Sequence, residues 1–217
     1  MDQTLFHLIN EQWTSPALDL FMAAVSDADI WKPLIAVLAL YALIFGGFKG
    51  RAFAFCLGII LLISSTFVVR TLKASVGRMR PKQVQTVRIV QLQRTTPKFL
   101  TLFQRPTVRA SNEKDRTSSG PSFPSGHVAD NVVIAICCTL FFPSWGWLYW
   151  VFAAVIGYSR IYLGAHWPSD VIGTVFFAAG EALVLIALLE WLWRVAARRW
   201  LPELFAKHPS LIGMKTA

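Results

Sequence analysis

The stretch VIGTVFFAAGEALVLIALLEWLW occupies residues 171–193 and carries only two charged side chains, Glu181 and Glu190. A helix needs about 20 mostly apolar residues to cross the hydrocarbon core of a bilayer. Within that core every backbone N–H and C=O group must be paired inside the segment, which a helix achieves on its own. The sequence therefore predicts a transmembrane helix here, and hence a membrane protein.

Other apolar stretches upstream are long enough, or nearly so, to cross a bilayer. They cover residues 33–48, 52–69, 128–142 and 145–163, and tryptophans lie near several of their ends, as interfacial anchors do. Residues 1–31 contain short apolar groups typical of amphipathic helices that lie on the membrane or are packed into it, which would add a sixth, partial span. The expected fold is all-α: a polytopic membrane helical bundle of five to six spans with an N-terminal amphipathic helix and one long extramembrane loop.

The overall composition agrees with a membrane location. Of the 217 residues, 55% are hydrophobic and 15% are charged, and the formal net charge is +9. This charge favours an anionic partner, either a phosphate-bearing substrate or an anionic lipid surface. Nucleic acid is not expected, because the apolar residues fill long segments. The three cysteines lie within apolar stretches without metal-ligand spacing, so neither a disulfide framework nor a zinc site is expected.

The polarity of the chain changes sharply between residues 70 and 126, where Gln, Arg, Thr, Lys and Pro replace Leu, Ile and Phe. We interpret this segment as a long extramembrane loop between the second and third spans, and loops of this length are usually functional or disordered. The expected organisation is an N-terminal interfacial segment at 1–31, a membrane domain at 32–193 and a basic cytoplasmic tail at 194–217.

Three polar clusters lie where spans begin or end. Because successive spans alternate in direction, the end of the second, the start of the third, the end of the fourth and the start of the fifth share one face of the membrane. The clusters at these junctions are KASVGRMRP at 73–81, PSGH at 124–127 and SRIYLGAHWPSD at 159–170. Ionisable residues at membrane depth are costly and usually functional, so we expect the clusters to line one pocket.

The basic residues of these clusters are suited to binding a tetrahedral anion. Lys73, Arg80 and Arg160 supply three cations, and the two guanidinium groups match the geometry of phosphate oxygens. A helix that begins at Ser125 would add backbone N–H groups, since a helix N-terminus attracts anions. Gly126 would let the ligand approach the backbone closely.

The two histidines of the clusters are suited to chemistry on such an anion. His166 and Asp170 are four residues apart, so their side chains can meet if Pro168 starts the next helix. The carboxylate would then fix the imidazole tautomer and stabilise its positive charge, which makes His166 a candidate nucleophile. His127, from a different span, would protonate the departing alkoxide or phosphate as a general acid.

In this combination and order, the three motifs resemble those of the type 2 phosphatidic acid phosphatase superfamily. The resemblance covers Lys73 to Asp170 and the spans around it, but neither the N-terminal 30 residues nor the tail after Trp193. It implies that His166 forms a phosphohistidine, that Asp170 is its partner and that His127 donates the proton to the leaving group. It also implies a reaction without metal or cofactor. The implied phosphate pocket is lined by Lys73, Arg80, Ser125, Gly126 and Arg160.

The resemblance implies an integral membrane lipid phosphatase that acts on a phosphomonoester or a pyrophosphate. Candidate substrates are undecaprenyl pyrophosphate, phosphatidylglycerol phosphate, phosphatidic acid and lipid A, with membrane lipids as the surroundings and the oligomeric state left open. A lipid phosphotransferase is an alternative, because an alcohol can attack a phosphohistidine as water does. A non-catalytic lipid-binding or transport protein is the alternative from a different class.

The distribution of charge gives conflicting indications of orientation. Most of the 21 basic residues fall on the face that carries the clusters, which a simple positive-inside rule would place in the cytoplasm. Residues 1–31, however, hold five acidic residues and no Lys or Arg, whereas Lys49 and Arg51 directly follow the first span. We therefore expect a multi-pass protein of the bacterial inner membrane with its pocket facing the periplasm or exterior.

Two further charged residues are given no catalytic role. Arg78, within the first cluster, is expected to contact solvent or lipid headgroups. Glu181, in the middle of the last span, is expected to be a packed, hydrogen-bonded or neutral carboxyl rather than part of a water-filled cavity.

Overall fold

The computed structural model describes residues 1–96, 98–117 and 120–213, and within these the chain is mostly helical. The predicted helical membrane architecture is confirmed. Five-residue π-helical turns at Leu8–Gln12 and Ser64–Val68 follow α1 and join α4 to α5, respectively. In chain order the helices are α1 (Asp2–His7), α2 (Pro16–Ser26), α3 (Ala28–Phe45), α4 (Gly47–Ile63), α5 (Val69–Val76), α6 (Pro81–Val84), α7 (Glu113–Thr117), α8 (Gly126–Phe141), α9 (Tyr149–Tyr162), α10 (Pro168–Trp200) and α11 (Pro202–Lys207).

Three helical stretches in the described part of the chain are long and apolar enough to cross a membrane: Ala28–Phe45, Gly47–Val84 and Pro168–Trp200. The other helices at predicted spans are shorter, since α8 has 16 residues and α9 has 14. A straight crossing needs roughly 20 residues. The predicted bundle is therefore present, and the number of five to six complete crossings stays a prediction.

The first two long helices, α3 and α4, are joined by a tight turn at Gly46 and Gly47. A Cβ atom on Gly46 would lie 2.4 Å from the carbonyl oxygen of Ala42, and Gly47 has a φ of +58°, so both positions favour glycine. No residue of α3 is buried, although the helix is strongly apolar. The helix packs against α4, and the rest of its apolar surface is exposed, as suits a helix in contact with lipid.

The centre of the bundle is α8, which packs against α4, α9 and α10. Its buried positions include the small residues Ala129, Ala135 and Cys137, and α10 contributes Ala178 and Ala182. Small side chains let helix backbones approach closely, which favours packing in a lipid environment. The three cysteines are buried and unpaired, as their apolar surroundings predicted.

The polar segment between α5 and α8 carries a short β-hairpin, which the all-α prediction did not include. Its strands, β1 (Arg88–Gln91) and β2 (Thr107–Ala110), pair in antiparallel orientation. Ile89 in β1 is buried in a cluster with Phe6 and Tyr162. The all-α assignment was wrong for this segment, because two four-residue strands within a polar stretch leave too short an alternating pattern to recognise.

The N-terminal segment packs against the rest of the protein. Asn10 is fully buried, and its side-chain amide donates to the carbonyl oxygens of Arg88 at 2.9 Å and Tyr162 at 2.7 Å. The carboxylate of Asp19 accepts from Arg88 Nη2 and from the Tyr162 hydroxyl, each at 2.6 Å. The expected division at residue 31 falls inside a helix, since α3 begins at Ala28.

The C-terminal segment folds back against the bundle. α10 continues past the expected tail boundary at residue 194 to Trp200, and α11 then reverses the chain. The ring of His208 stacks on Phe48 with 4.0 Å between centroids, and Leu211 is buried beside α4 and α10. The described part of the tail therefore covers the end of the bundle opposite the polar clusters, whereas residues 214–217 lie outside the described chain.

Candidate active site

The three polar clusters meet at one end of the bundle. Lys73 lies in the last turn of α5, Arg80 directly precedes α6, and Arg160 lies in the last turn of α9. Both imidazoles, His127 and His166, interact electrostatically with all three of these cations. The structure therefore brings together the cations and histidines that the sequence assigned to one pocket, and their chemical roles stay predictions.

The two arginines of the pocket are held by neighbouring acceptors. Arg80 donates from Nε to the carbonyl oxygen of Gly120 at 2.9 Å and from Nη1 to that of Ala165 at 3.3 Å. Arg160 donates from Nη1 to the hydroxyl of Ser26, while its Nε is buried without a hydrogen-bond partner in the described chain. A buried donor without an acceptor is costly, so this Nε is suited to a phosphate oxygen.

The start of α8 lies beside these cations and is built to receive an anion. Ser125 is the N-cap residue of α8, as expected, and its backbone N–H donates to Thr174 Oγ1 at 3.0 Å. The hydroxyl of Ser125 is buried and has no partner among the described residues. A Cβ atom on Gly126 would meet no atom within 4 Å. The first turn thus offers backbone N–H groups, a hydroxyl and open space, which together suit a phosphate.

His166 lies in the turn between α9 and α10 and reaches Asp170 only indirectly. Pro168 does start α10, as the spacing required. The atoms His166 Nδ1 and Asp170 Oδ2 are 4.0 Å apart, which is ion-pair range but too long for a hydrogen bond. The hydroxyl of Ser122 contacts both, at 3.5 Å from Nδ1 and 2.5 Å from Oδ2. The predicted pair of side chains is present, with a serine inserted between them.

The surroundings of His166 favour its neutral form. Burial, together with the positive charges of Arg80 and Arg160, holds the pKa of His166 well below its usual value of 6.5. A hydrogen bond with the backbone of Ser122 opposes this shift only in part. The imidazole is therefore neutral at physiological pH and keeps a lone pair for nucleophilic attack.

His127 is positioned by the N-terminal segment. It lies in the first turn of α8, and its ring forms a hydrogen bond with the backbone of Ser26 at the end of α2. Ser26 is buried, and its hydroxyl also accepts from Arg160. A residue outside the three sequence motifs thus contacts both the predicted proton donor and a predicted phosphate ligand.

Three residues around the pocket were missed by sequence reasoning. Ser122 and Ser26 carry no sequence signal that separates them from other serines. Arg78 was expected to contact solvent or headgroups. That prediction was wrong about its partners, since the guanidinium group donates to Asp170 Oδ1 at 2.8 Å and to Asp2 Oδ2 at 2.6 Å. The physical reason is that the N-terminal segment lies over this end of the bundle and supplies Asp2. The position of Arg78 within the first cluster is the one signal that pointed to it.

Other charged groups of the described chain do not add a metal site. Within residues 1–96, 98–117 and 120–213, no three His, Cys, Asp or Glu side chains are placed to hold a metal ion. Glu181 accepts a hydrogen bond from the hydroxyl of Ser64 at 3.2 Å. This contact agrees with the expectation of a hydrogen-bonded carboxyl within the last span.

The part of the chain that holds the pocket matches a known family. The model of the PAP2 superfamily matches residues 51–194. This range contains all three polar clusters, whereas the N-terminal segment that carries Asp2 and Ser26 lies outside it.

Two curated relatives share most of this chain. Undecaprenyl-diphosphatase from Sulfolobus acidocaldarius is 31% identical over 171 residues, which cover 77% of this chain and 68% of that protein. Lipid A 4'-phosphatase from Bacteroides thetaiotaomicron is 30% identical over 164 residues, which cover 73% of this chain and 64% of that protein. The chain thus matches about two thirds of the length of these relatives.

Solved structures show the same fold. The crystal structure of LpxE from Aquifex aeolicus matches with a TM-score of 0.56 and 24% identity, covering 86% of this chain and 94% of that chain. A PAP2-type phosphatidylglycerolphosphate phosphatase from Bacillus subtilis matches with a TM-score of 0.55 and 18% identity, covering 88% and 87%. At these identities the similarity extends to the fold alone.

Proposed function

Since the chain belongs to the PAP2 superfamily of membrane lipid phosphatases, we propose that it releases phosphate from a lipid phosphomonoester or diphosphate through a phosphohistidine on His166. The observation that carries this proposal is a set of contacts at one end of the bundle: Ser26 bonds both the His127 ring and Arg160, and Arg80 donates to the carbonyl oxygen beside His166. Two imidazoles at one cationic pocket supply both a nucleophile and a general acid for phosphoryl transfer.

The first step is binding of the terminal phosphate. The unpaired donors of the pocket, Arg160 Nε and Ser125 Oγ, would bind its oxygens together with the N–H groups at the start of α8. Lys73 and Arg80 add positive charge. Phosphoryl transfer depends mainly on positioning and on stabilising the charge of the transition state, which this arrangement supplies.

The second step is attack of His166 on phosphorus. As the bond between Nε2 and phosphorus forms, the bond from phosphorus to the leaving oxygen breaks, and His127 gives its proton to that oxygen. The negative charge of the bound phosphate offsets the three cations and holds His127 in the protonated form that this step requires. The leaving group is the lipid alcohol for a monoester and the lipid monophosphate for a diphosphate. The carboxylate of Asp170 stabilises the positive charge that develops on the imidazole.

The third step is hydrolysis of the phosphohistidine. Water attacks phosphorus, the bond to Nε2 breaks, and its electron pair returns to His166. His127, which is neutral after the second step, accepts the proton of the water. Both histidines then regain their starting states, and inorganic phosphate leaves.

The surface around the pocket favours a lipid substrate. The long helices expose large apolar side chains, among them Leu38 and Phe45 in α3 and Phe176 in α10. A lipid whose headgroup reaches the pocket can therefore place its hydrocarbon chain along the bundle within the bilayer. The matched relatives are named for undecaprenyl diphosphate and lipid A, which supports lipid phosphates as the substrate class.

A substrate panel tests the proposal. Detergent-solubilised protein is offered undecaprenyl pyrophosphate, phosphatidylglycerol phosphate, phosphatidic acid or lipid A, and released phosphate is measured with and without EDTA. We expect release from at least one lipid and no effect of EDTA, because nucleophile and acid are both side chains. His166→Gln should abolish release, whereas His208→Gln, at the other end of the bundle, should not change it. Strict dependence on added metal ion would count against the reaction.

The products of the same assay separate hydrolysis from phosphotransfer. Mass spectrometry should find inorganic phosphate and the dephosphorylated lipid as the only products when an alcohol acceptor is also present. A phosphorylated acceptor would instead assign the protein to the transferases.

A further inference from the structure

The contact between Asp170 and His166 runs through Ser122. The nearest atoms of the carboxylate and the imidazole are 4.0 Å apart, and the serine hydroxyl contacts both. All three side chains are buried, with exposed fractions of 0% for Ser122 and Asp170 and 2% for His166. Solvent therefore competes little for these contacts, and hydrogen bonds at such buried positions are strengthened by their surroundings.

The carboxylate of Asp170 is fixed through both of its oxygens. Oδ1 accepts from Arg78 Nη1 at 2.8 Å, and Oδ2 accepts from the backbone N–H of Trp167 at 3.0 Å in addition to the hydroxyl of Ser122. Arg78 is itself held by Asp2, whose Oδ2 lies 2.6 Å from Nη2. The carboxylate would have to break these bonds to reach the imidazole directly.

The chemistry of the three side chains decides which group donates and which accepts in each of these hydrogen bonds. A serine hydroxyl carries a single proton, and at 2.5 Å from a carboxylate oxygen that proton is donated to Asp170. The oxygen of Ser122 is then left as an acceptor toward His166 Nδ1, so the imidazole proton resides on Nδ1. Nε2 consequently keeps the lone pair.

We propose that Ser122 is a positioning residue that couples Asp170 to His166 and selects the tautomer in which Nε2 is the nucleophile. This inference rests on the proposed function of His166. The carboxylate polarises the hydroxyl, and the hydroxyl oxygen stabilises the positive imidazole that forms as Nε2 attacks phosphorus. None of the three motifs that define the pocket in the sequence includes this serine.

Phosphate release by Ser122→Ala, Asp170→Asn and the double variant tests the coupling. Loss of a hydrogen bond in a charged network predicts a fall in kcat of roughly 10- to 100-fold for Ser122→Ala. Because both residues act through one chain of contacts, the double variant should be no slower than the slower single variant. A kcat for Ser122→Ala within about twofold of the wild type, or fully additive losses in the double variant, would overturn the proposal.

A matched variant controls for the removal of a buried hydroxyl. Ser210 is also buried, lies in the C-terminal tail, and has a hydroxyl without a hydrogen-bond partner among the described residues. Ser210→Ala should leave kcat unchanged. An equal loss in Ser210→Ala and Ser122→Ala would show that the effect is a general one on packing and would refute a specific role.

The tautomer of His166 gives a readout that does not depend on turnover. NMR of protein labelled at the histidine ring nitrogens reports it, and the His166 signals are identified by their absence from His166→Gln. We expect a protonated Nδ1 and an unprotonated Nε2 in the wild type, and a weaker preference in Ser122→Ala, in which the hydroxyl is lost and the backbone of Ser122 remains as a partner of the ring. A wild-type spectrum with Nε2 protonated would refute the inference. If no lipid were hydrolysed, the proposed function would fail while this measurement still decided the role of Ser122.

Discussion

At the scale of single residues, the two imidazoles of the pocket lie in different surroundings. His166 has 2% of its surface exposed, whereas His127 is half-buried in the first turn of α8. The same three cations act on both rings. Burial and nearby positive charge each favour a neutral imidazole, which is the form that His166 requires as a nucleophile. His127 requires the protonated form as an acid, which the negative charge of a bound phosphate would favour.

We expect the imidazole of His166 to remain neutral well below pH 6.5. Burial first, and then Arg80 and Arg160, lower its pKa, so protonation and the accompanying loss of the nucleophile are displaced to more acidic pH. An NMR titration of the His166 ring in the ligand-free protein measures this directly. A titration midpoint at or above 6.5 would mean that the ring is not desolvated as the structure indicates.

The guanidinium group of Arg160 should not be replaceable by an ammonium group. Lysine keeps the charge but lacks both the planar fork and the buried Nε donor, so we expect Arg160→Lys to lower kcat/KM by roughly 10- to 100-fold. The matched control is Arg194→Lys, because Arg194 is exposed and pairs with Glu190 in α10. That variant should change kcat/KM by less than about twofold. Equal activities of the two variants would speak against a phosphate contact at Arg160.

The sequence predicted the charged members of the pocket better than the residues that hold them. A single cation or histidine at the end of an apolar span is a weak signal, but their joint order along the chain is unusual enough to be recognised, and the structure does bring them together. Ser122, Ser26 and Asp2 are ordinary polar residues that belong to none of the three motifs. Their importance depends on contacts across the chain, as between Asp2 and Ser169, which are separated by 167 positions.

At the scale of elements, apolar runs predicted which segments are helical but not the exact residues at which the helices begin and end. The last span was expected to end at Trp193, but α10 continues to Trp200. Its final turns therefore stay helical where the sequence becomes basic. The third span was expected from Val128, and α8 begins at Gly126. The β-hairpin could not be predicted, since its strands are stabilised by packing against the N-terminal segment.

The N-terminal segment should contribute to the stability of the whole pocket end. Asn10→Ala removes two donated hydrogen bonds and one accepted from the backbone N–H of Arg88, so we expect a loss of at least about 2 kcal/mol. Thermal unfolding in detergent measures this loss. Asn112→Ala is the control, because it removes an exposed cap of α7 and should cost no more than about 1 kcal/mol. A milder effect at Asn10 than at Asn112 would contradict the described packing.

At the scale of the whole molecule, the fold separates a polar end from apolar flanks. The pocket, the β-hairpin and the N-terminal segment occupy one end, and the C-terminal tail covers the other. The outward surface of α3 between them is apolar. Under the proposed function, this arrangement would place phosphate chemistry at the water boundary while the lipid chain of the substrate stays in the bilayer.

We propose that the polar end faces the periplasm or exterior, because residues 1–31 contain acids and no Lys or Arg. Thiol labelling of intact cells with a membrane-impermeant reagent tests this orientation. The three native cysteines are buried, so the background should be low. We expect Gln104→Cys, in the loop, to be labelled in intact cells and Glu203→Cys, in α11, only after lysis. The reverse pattern would place the pocket in the cytoplasm.

The central claim is that a phosphoryl group passes through His166. Rapid quenching of the purified protein during turnover of a lipid labelled in its terminal phosphate, followed by peptide mass spectrometry, measures this step directly. We predict a transient phosphoryl group on His166 that is labile to acid, stable to base and absent from His166→Gln. Full turnover with no covalent phosphate, or with the phosphate on a different residue, would contradict the account.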